Sequence, residues 1–260
     1  MKCSLYCLSV CLVLVSGVYA GEVITEEIIT IGVSSGDPVE MFSINGDVIV
    51  SEWSSDQVEV VYIITCDSEE ELDFITVECN TSSGIICQVE YDEDWEESHS
   101  GIVDFEVQIP SGIYLEIELA SVNGNVSIDG GEGNALLEVV NGNIEAEGFN
   151  GELVVHSVNG NIDISESPGI TVAELVNGNI ECVVNALDDD LELASVNGCI
   201  TLYLGVDAEV EVETITGIIE IANTFNAHIT ENIVGSSSDF GEGEFSIEIS
   251  TVSGNIIIDN

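Results

Sequence analysis

The residues of this chain whose types and spacing suggest chemistry are carboxylates on a fixed beat. Glu145, Asp163 and Glu181 each lie three positions after the glycine of an Asn-Gly pair, and those glycines step by 18 residues. If each 18-residue unit is one turn of a stacked β-structure, the three acids face outward on neighbouring strands about 4.8 Å apart. Two unit charges at that distance repel by about 0.9 kcal/mol in water, and by more near a protein surface. Such a ladder is costly unless salt or a cation screens it, and oxygen-only ligands suit Ca²⁺ or Mg²⁺. Asp188, Asp189 and Asp190, in a turn lengthened by two residues, add further oxygen donors. The chemistry such a ladder could support is weak divalent-cation binding, a sharper reading than the one the acids favour individually. The competing expectation is an acidic surface that salt merely screens.

Other constellations are poorer. Glu138, His156 and Glu174 share the column four positions before the glycine. They read either as a metal triad or, more simply, as cross-strand charge pairs around a histidine. Gly130-Gly131-Glu132-Gly133 resembles a calcium-binding nonapeptide, but Ala135 stands where its ligating Asp belongs. The acidic run at 92–97, with Trp95, reads as a solvated loop. No C-x-x-C pair suggests zinc. An acid-catalysed glycan hydrolase would need a placed carboxylate pair, and among so many acids no pair is informative. His99, His156 and His228 are the only histidines, with no nucleophile–base constellation near them. No enzyme activity and no cofactor are expected, Ca²⁺ excepted.

The elements that must position these side chains are set by a repeat. Val122-Asn123-Gly124-Asn125-Val126 recurs as Val140-Asn141-Gly142-Asn143-Ile144, Val158-Asn159-Gly160-Asn161-Ile162 and Val176-Asn177-Gly178-Asn179-Ile180. It continues more loosely at Asn197-Gly198, Gly217 and Gly254, and Gly133, Gly151 and Gly169 fall halfway between. A period near 18 with turn residues every nine predicts a parallel β-solenoid with two strands per turn. The Asn-Gly pairs read as structural corners, Asn supplying tight backbone and stacked side-chain ladders.

Aligned on the corner glycine, four columns are apolar and are expected inside. They lie two after it (Val126, Ile144, Ile162, Ile180), four after it (Ile128, Ala146, Ile164, Cys182), five before it (Leu119, Leu137, Val155, Ala173) and two before it (Val122, Val140, Val158, Val176). The column six before holds Leu136, Val154 and Val172 in the central turns, where an outward position is expected. An exposed apolar patch wants a cover. Part of residues 21–110 is the expected cover; self-association or an external partner is the alternative.

Charge narrows the partners. The chain has 50 Asp and Glu against one Lys or Arg, Lys2. Nothing neutralises phosphates, which excludes nucleic acid and makes anionic membranes poor partners. Disorder is the usual reading of such charge. It fails because 45% of the residues are hydrophobic and alternate with polar ones.

Residues 1–20 read as a secretory signal peptide: Lys2, an apolar run from Leu5 to Val15, and Val18-Tyr19-Ala20 before Gly21. No later run is apolar and long enough to cross a bilayer. An exported location is expected, whether periplasmic, cell-surface or extracellular. Beyond residue 20 five cysteines remain, so at least one thiol stays free. Cys79 and Cys87 flank the turn 80–84 and could meet across a hairpin, whereas Cys182 and Cys199 occupy different columns.

Residues 21–110 read as a β-rich N-terminal region packing on the solenoid of 111–260. Ile44-Asn45-Gly46-Asp47-Val48 already matches the repeat phrase, 57–65 alternates strictly, and Ser68 precedes a short acidic helix or charged loop.

Asn45-Gly46-Asp47-Val48 with Trp53, Ile109-Pro110-Ser111-Gly112, the Val-Asn-Gly-Asn-Ile turns and the closing Gly243-Glu244-Phe245 to Ile256 together resemble the bacterial putative-adhesin family of β-strand repeat proteins. The resemblance covers roughly residues 40–260. It implies a β-solenoid and an exported or envelope location, and brings no catalytic residues. The function expected is structural or adhesive, through protein or cell-surface contacts. A divalent-cation-binding surface module is the alternative, and a glycan hydrolase the least favoured.

Overall fold

The computed structural model describes residues 15–19, 22–92, 100–222, 230–231, 236–241 and 243–260. The acidic run after Asp92, His99, His228 and most of the leader segment lie outside them. Among the described residues the chain is all-β apart from one helical turn, and it divides into two compact units, one up to Gly133 and one from Asn134.

In the first unit the strands are β1 (Val15–Tyr19), β2 (Glu22–Gly32), β3 (Pro38–Asn45), β4 (Val48–Trp53), β5 (Gln57–Cys66), β6 (Ile75–Asn80), β7 (Ile85–Tyr91), β8 (Ile102–Pro110), β9 (Tyr114–Asn123) and β10 (Val126–Asp129). One sheet runs β1-β2-β5-β8-β4-β10, the other β9-β3-β7-β6. β3 and β4 form one tier, joined at the corner Asn45-Gly46-Asp47. That tier pairs parallel with β9 and β10 on one side and with β7 and β8 on the other. Sequence neighbours are thus not tier neighbours: the tier from 38–53 lies between those from 85–110 and 114–129. The outer strands β1, β2, β5 and β6 add on antiparallel.

The helical turn α1 (Glu69–Leu72) is opened by Ser68, whose hydroxyl accepts from the Glu71 N–H at 3.3 Å. Three acids in its first turn suit the positive end of the helix. Cys79 and Cys87 sit opposite one another in the β6–β7 hairpin and form a disulfide.

The second unit holds β11 (Glu132–Asn141), whose first residues belong to the preceding unit, then β12 (Ile144–Glu147), β13 (Asn150–Asn159), β14 (Ile162–Ser165), β15 (Ile170–Asn177), β16 (Ile180–Val184), β17 (Leu191–Asn197), β18 (Ile200–Leu204), β19 (Glu209–Thr216), β20 (Ile219–Ile221), β21 (Thr230–Glu231), β22 (Ser236–Phe240), β23 (Ser246–Ser253) and β24 (Ile256–Asp259). Short strands order as β12-β14-β16-β18-β24-β20, long ones as β11-β13-β15-β17-β23-β19-β22-β21. From tier to tier the pairing is parallel, with Ile144 opposite Ile162, Ile162 opposite Ile180 and Ile180 opposite Ile200, whereas β22 pairs antiparallel with both β19 and β21. The last tier in sequence, β23–β24, is not the last in space. It sits between β17–β18 and β19–β20, hydrogen-bonded to both.

The core lies between the two sheets. The columns two and four after the corner glycine and five before it are buried, Ile144, Ala146, Leu137 and Val155 among them, although Ile221 is only half-buried. The column two before the glycine differs from expectation. Val140, Val158, Val176, Val196, Val252 and Ile215 are 39–46% exposed, and the inward position is instead the one before it: Val139, Ser157, Leu175, Ser195, Thr251 and Thr214. Strand parity is the reason. Positions five and two before the glycine differ by an odd number, so one straight strand cannot turn both inward.

The corners explain the period of the glycines. A side chain at Gly178 would overlap the Gly160 carbonyl oxygen, and one at Gly160 that of Gly142. Both sit at φ near +140, a region only glycine enters readily. A corner that faces the carbonyl of the tier beside it therefore has to be glycine.

Candidate interaction surface and acidic ladder

Each corner carries two side-chain ladders. In the first, Asn159 Nδ2 donates to Asn141 Oδ1 at 2.9 Å, Asn177 to Asn159 at 2.9 Å, and Asn197 to Asn177 at 3.1 Å. In the second, the Asx after the glycine accepts the backbone N–H of its counterpart on the next tier. Asn143 accepts from Asn161, Asn161 from Asn179, Asn179 from Cys199, and Asn255 from Ile218. The first unit repeats the device, Asp104 accepting from Asp47 and Asp47 from Asn125. Partial burial raises the Asp104 carboxyl above the usual carboxylate range. The N–H of Asp47 opposes that shift and the charge of Asp47 adds to it. These bonds give Asn141, Asn159, Asn177 and Asn197 the part of corner residues.

Glu145, Asp163 and Glu181 do line up. Glu145 is opposite Asp163 and Asp163 opposite Glu181, all three exposed. Thr201 follows Glu181 on the next tier, so the ladder ends at three. The carboxylates stand side by side, and among the described residues no group of three His, Cys, Asp or Glu is arranged to hold a metal ion. Asp188, Asp189 and Asp190 are exposed and do not join that ladder. Asp190 instead accepts from the backbone N–H of Ser246, at 2.8 Å, and from its side chain, which together lower its carboxyl below the usual range.

The outer face of the long-strand sheet is more distinctive. Leu136, Val154 and Val172 are half-buried along one line, followed on the next tiers by Glu192, Glu248 and Glu211. Parallel to it runs the exposed stripe Val140, Val158, Val176, Val196, Val252 and Ile215. Sequence reasoning missed this stripe as a surface by assigning it to the core; strict alternation from the buried column five before the glycine was the signal that finds it. Between the lines, His156 stands with Nδ1 3.6 Å from Glu138 and Nε2 3.7 Å from Glu174. The ring lies between two carboxylates on the neighbouring strands.

Thiols are distributed by burial. Cys182 is fully buried, which pushes its thiol up to about 12, and it is inert as a nucleophile. Cys66 is also buried, whereas Cys199 is partly exposed at a corner.

A concavity of about 500 Å³ borders Leu204, Val206, Asp207, Ala208 and Phe240. Among the described residues that line it, Asp207 is the single acidic side chain. Among the described residues no helix is long and apolar enough to cross a membrane.

No family model and no curated protein matches the chain. Solved structures do. It is similar to a putative cell adhesion protein from Clostridium sporogenes ATCC 15579 at 12% identity, covering 91% of this chain and 99% of that one, with a TM-score of 0.40. It is similar to a putative adhesin from Bacteroides fragilis NCTC 9343 at 9% identity, covering 90% and 96%, with a TM-score of 0.41. A putative lipid binding protein from Parabacteroides distasonis ATCC 8503 matches at 13% identity over 89% and 96%, with a TM-score of 0.33. The structural neighbours of this chain thus include putative adhesins of bacterial origin, the family its repeat phrase resembles.

Proposed function

We propose that this is an exported, acidic β-solenoid that works as a surface-interaction module and not as a catalyst. The observation that carries the reading is the unbroken stripe from Val140 to Ile215 across six tiers, 39–46% exposed on a chain with 50 carboxylates. Exposed β-branched residues lose nothing in strand propensity, but a contiguous row of them is the usual mark of a binding face. The leader at residues 1–20 supports export.

Fractionation of an expressing bacterium tests this. The exported protein is expected with the envelope, and the variant Val158→Thr/Val176→Thr/Val196→Thr in the soluble exported fraction. Equal distribution of the two proteins overturns the reading.

The second reading is a divalent-cation module at Glu145, Asp163 and Glu181. What favours it is their register on adjacent strands. Their side-by-side arrangement offers a cation bridging contacts at best, which places it behind the apolar face.

A further inference from the structure

The face around the valine stripe has a charge pattern that selects its occupant. In tier order β11, β13, β15, β17, β23, β19, the stripe is apolar throughout. Alongside it the sheet splits into two halves. Over β11 to β15 the outer line is Leu136, Val154 and Val172; over β17, β23 and β19 it becomes Glu192, Glu248 and Glu211, in register and exposed. Glu213, exposed and opposite Ser250, adds a fourth carboxylate on that half, in the column that holds Glu138 and Glu174 on the other. Among the described side chains, His156 is the only basic one, and it is already between Glu138 and Glu174.

A second copy of this chain is a poor cover for such a face. Face-to-face packing would oppose carboxylates with no Lys or Arg on either side, each close pair costing about 1 kcal/mol at 4 Å even in water. It would also begin to desolvate them, which costs more. A partner that offers an apolar row flanked by ammonium or guanidinium groups meets neither penalty and gains charge steering. The stripe spans five inter-tier steps, about 24 Å. That is the length of about 16 residues of helix.

We infer that the Val140–Ile215 stripe, with Glu192, Glu248, Glu211 and Glu213 along its edge, docks a cationic amphipathic polypeptide whose apolar row lies along the valines. This rests on the surface-interaction reading and names the partner's chemistry.

The test is titration of the full chain, in about 0.15 M salt, with three 18-residue peptides: an amphipathic Leu/Lys helix, a Lys/Ser peptide of equal charge, and a Leu/Glu helix. The Leu/Lys peptide is expected to saturate one site at least tenfold more tightly than the Lys/Ser peptide, with no binding of Leu/Glu. Val158→Thr/Val176→Thr, which keeps the β-branched shape and thus the fold, is expected to erase that tenfold advantage and leave Lys/Ser binding as it was. Glu192→Gln/Glu248→Gln/Glu211→Gln is expected to weaken Leu/Lys binding at least fivefold. Equal affinity for the two cationic peptides overturns the proposal, as does tight Leu/Glu binding or indifference of Leu/Lys binding to the Thr variant. If the peptides fail while the Thr variants still leave the envelope fraction, this proposal falls and the broader reading stands. Failure in both experiments removes both.

Discussion

The carboxylate of Asp190 accepts a hydrogen bond from the backbone N–H of Ser246 at 2.8 Å, across 56 residues of chain. This contact marks where the last tier in sequence is threaded between two tiers that precede it. Asp190 closes the lengthened turn ahead of β17, and Ser246 opens β23, the strand paired to β17.

The bond makes a pH prediction. The folded carboxyl of Asp190 is lowered from its ordinary 3.8 by Ser246. A depressed acid contributes stability that is present above the unfolded value and lost as pH falls through the folded one. Asp190→Asn should therefore lower stability at pH 7 and leave it little changed well below pH 4. It should flatten the acid limb below about pH 4, read from thermal melts across pH 2–7. Hydrogen exchange at Ser246 should quicken below pH 4 in the parent and not further in the variant.

Cys199 interrupts the second corner ladder. Asn179 accepts from its N–H, but on the next tier Asn255 meets a thiol, a weak acceptor, where other tiers present a carboxamide. Cys199→Asn should complete the ladder and stabilise the chain by about 0.5–1.5 kcal/mol. Denaturant melts check this; a loss of stability would show that the corner geometry there excludes the longer side chain.

The inward hydroxyl column predicts a contrast. Ser121 donates to the Gly46 carbonyl at 2.8 Å, whereas Ser157 and Ser195 are buried with no hydrogen-bond partner among the described residues. Ser121→Ala should cost about 1 kcal/mol, while Ser157→Ala and Ser195→Ala should be neutral or stabilising. Equal costs at all three sites would show that water satisfies the two orphaned hydroxyls.

Gly178→Ala should be among the most damaging small substitutions. Its φ of +140 excludes an L side chain, and the methyl would overlap the carbonyl oxygen of Gly160. Strain alone accounts for about 1–3 kcal/mol, and the overlap adds to it. A lowered denaturation midpoint, with β-sheet circular dichroism retained at low denaturant, is the expected result.

The acidic ladder is tested by melting the protein in NaCl and in CaCl₂ at matched ionic strength. Specific binding raises the midpoint in calcium alone, and Glu145→Gln/Asp163→Gln/Glu181→Gln should then abolish the difference. Equal midpoints mean that the carboxylates are only screened.

The sequence by itself determined the strands of the repeat, their corners and most of the core, but not β1 inside the expected leader, nor β22. The 18-residue step of Gly124, Gly142, Gly160 and Gly178 is a steric demand written directly in residue type, and columns such as Ile144, Ile162 and Ile180 need only alternation to be read as interior. The hairpin disulfide of Cys79 and Cys87 was legible for the same local reason, since eight residues and a turn bring them opposite. Side-chain direction near the corner was harder, because valine serves a strand equally well on either face; Val158 and Val176 look like core and stand in solvent.

Tertiary structure alone decided the order of the tiers. Every tier of the second unit offers its neighbours the same corner glycine and similar interior columns, so the sequence that makes Ile247 and Ile249 fit against Leu191 and Leu193 also fits them against Val210 and Val212. Interchangeable edges carry no address. What placed β23 between β17 and β19, and the 38–53 tier between those of 85–110 and 114–129, was the set of non-repeating contacts that only the folded chain brings together. The bond from Ser246 to Asp190 is one of them.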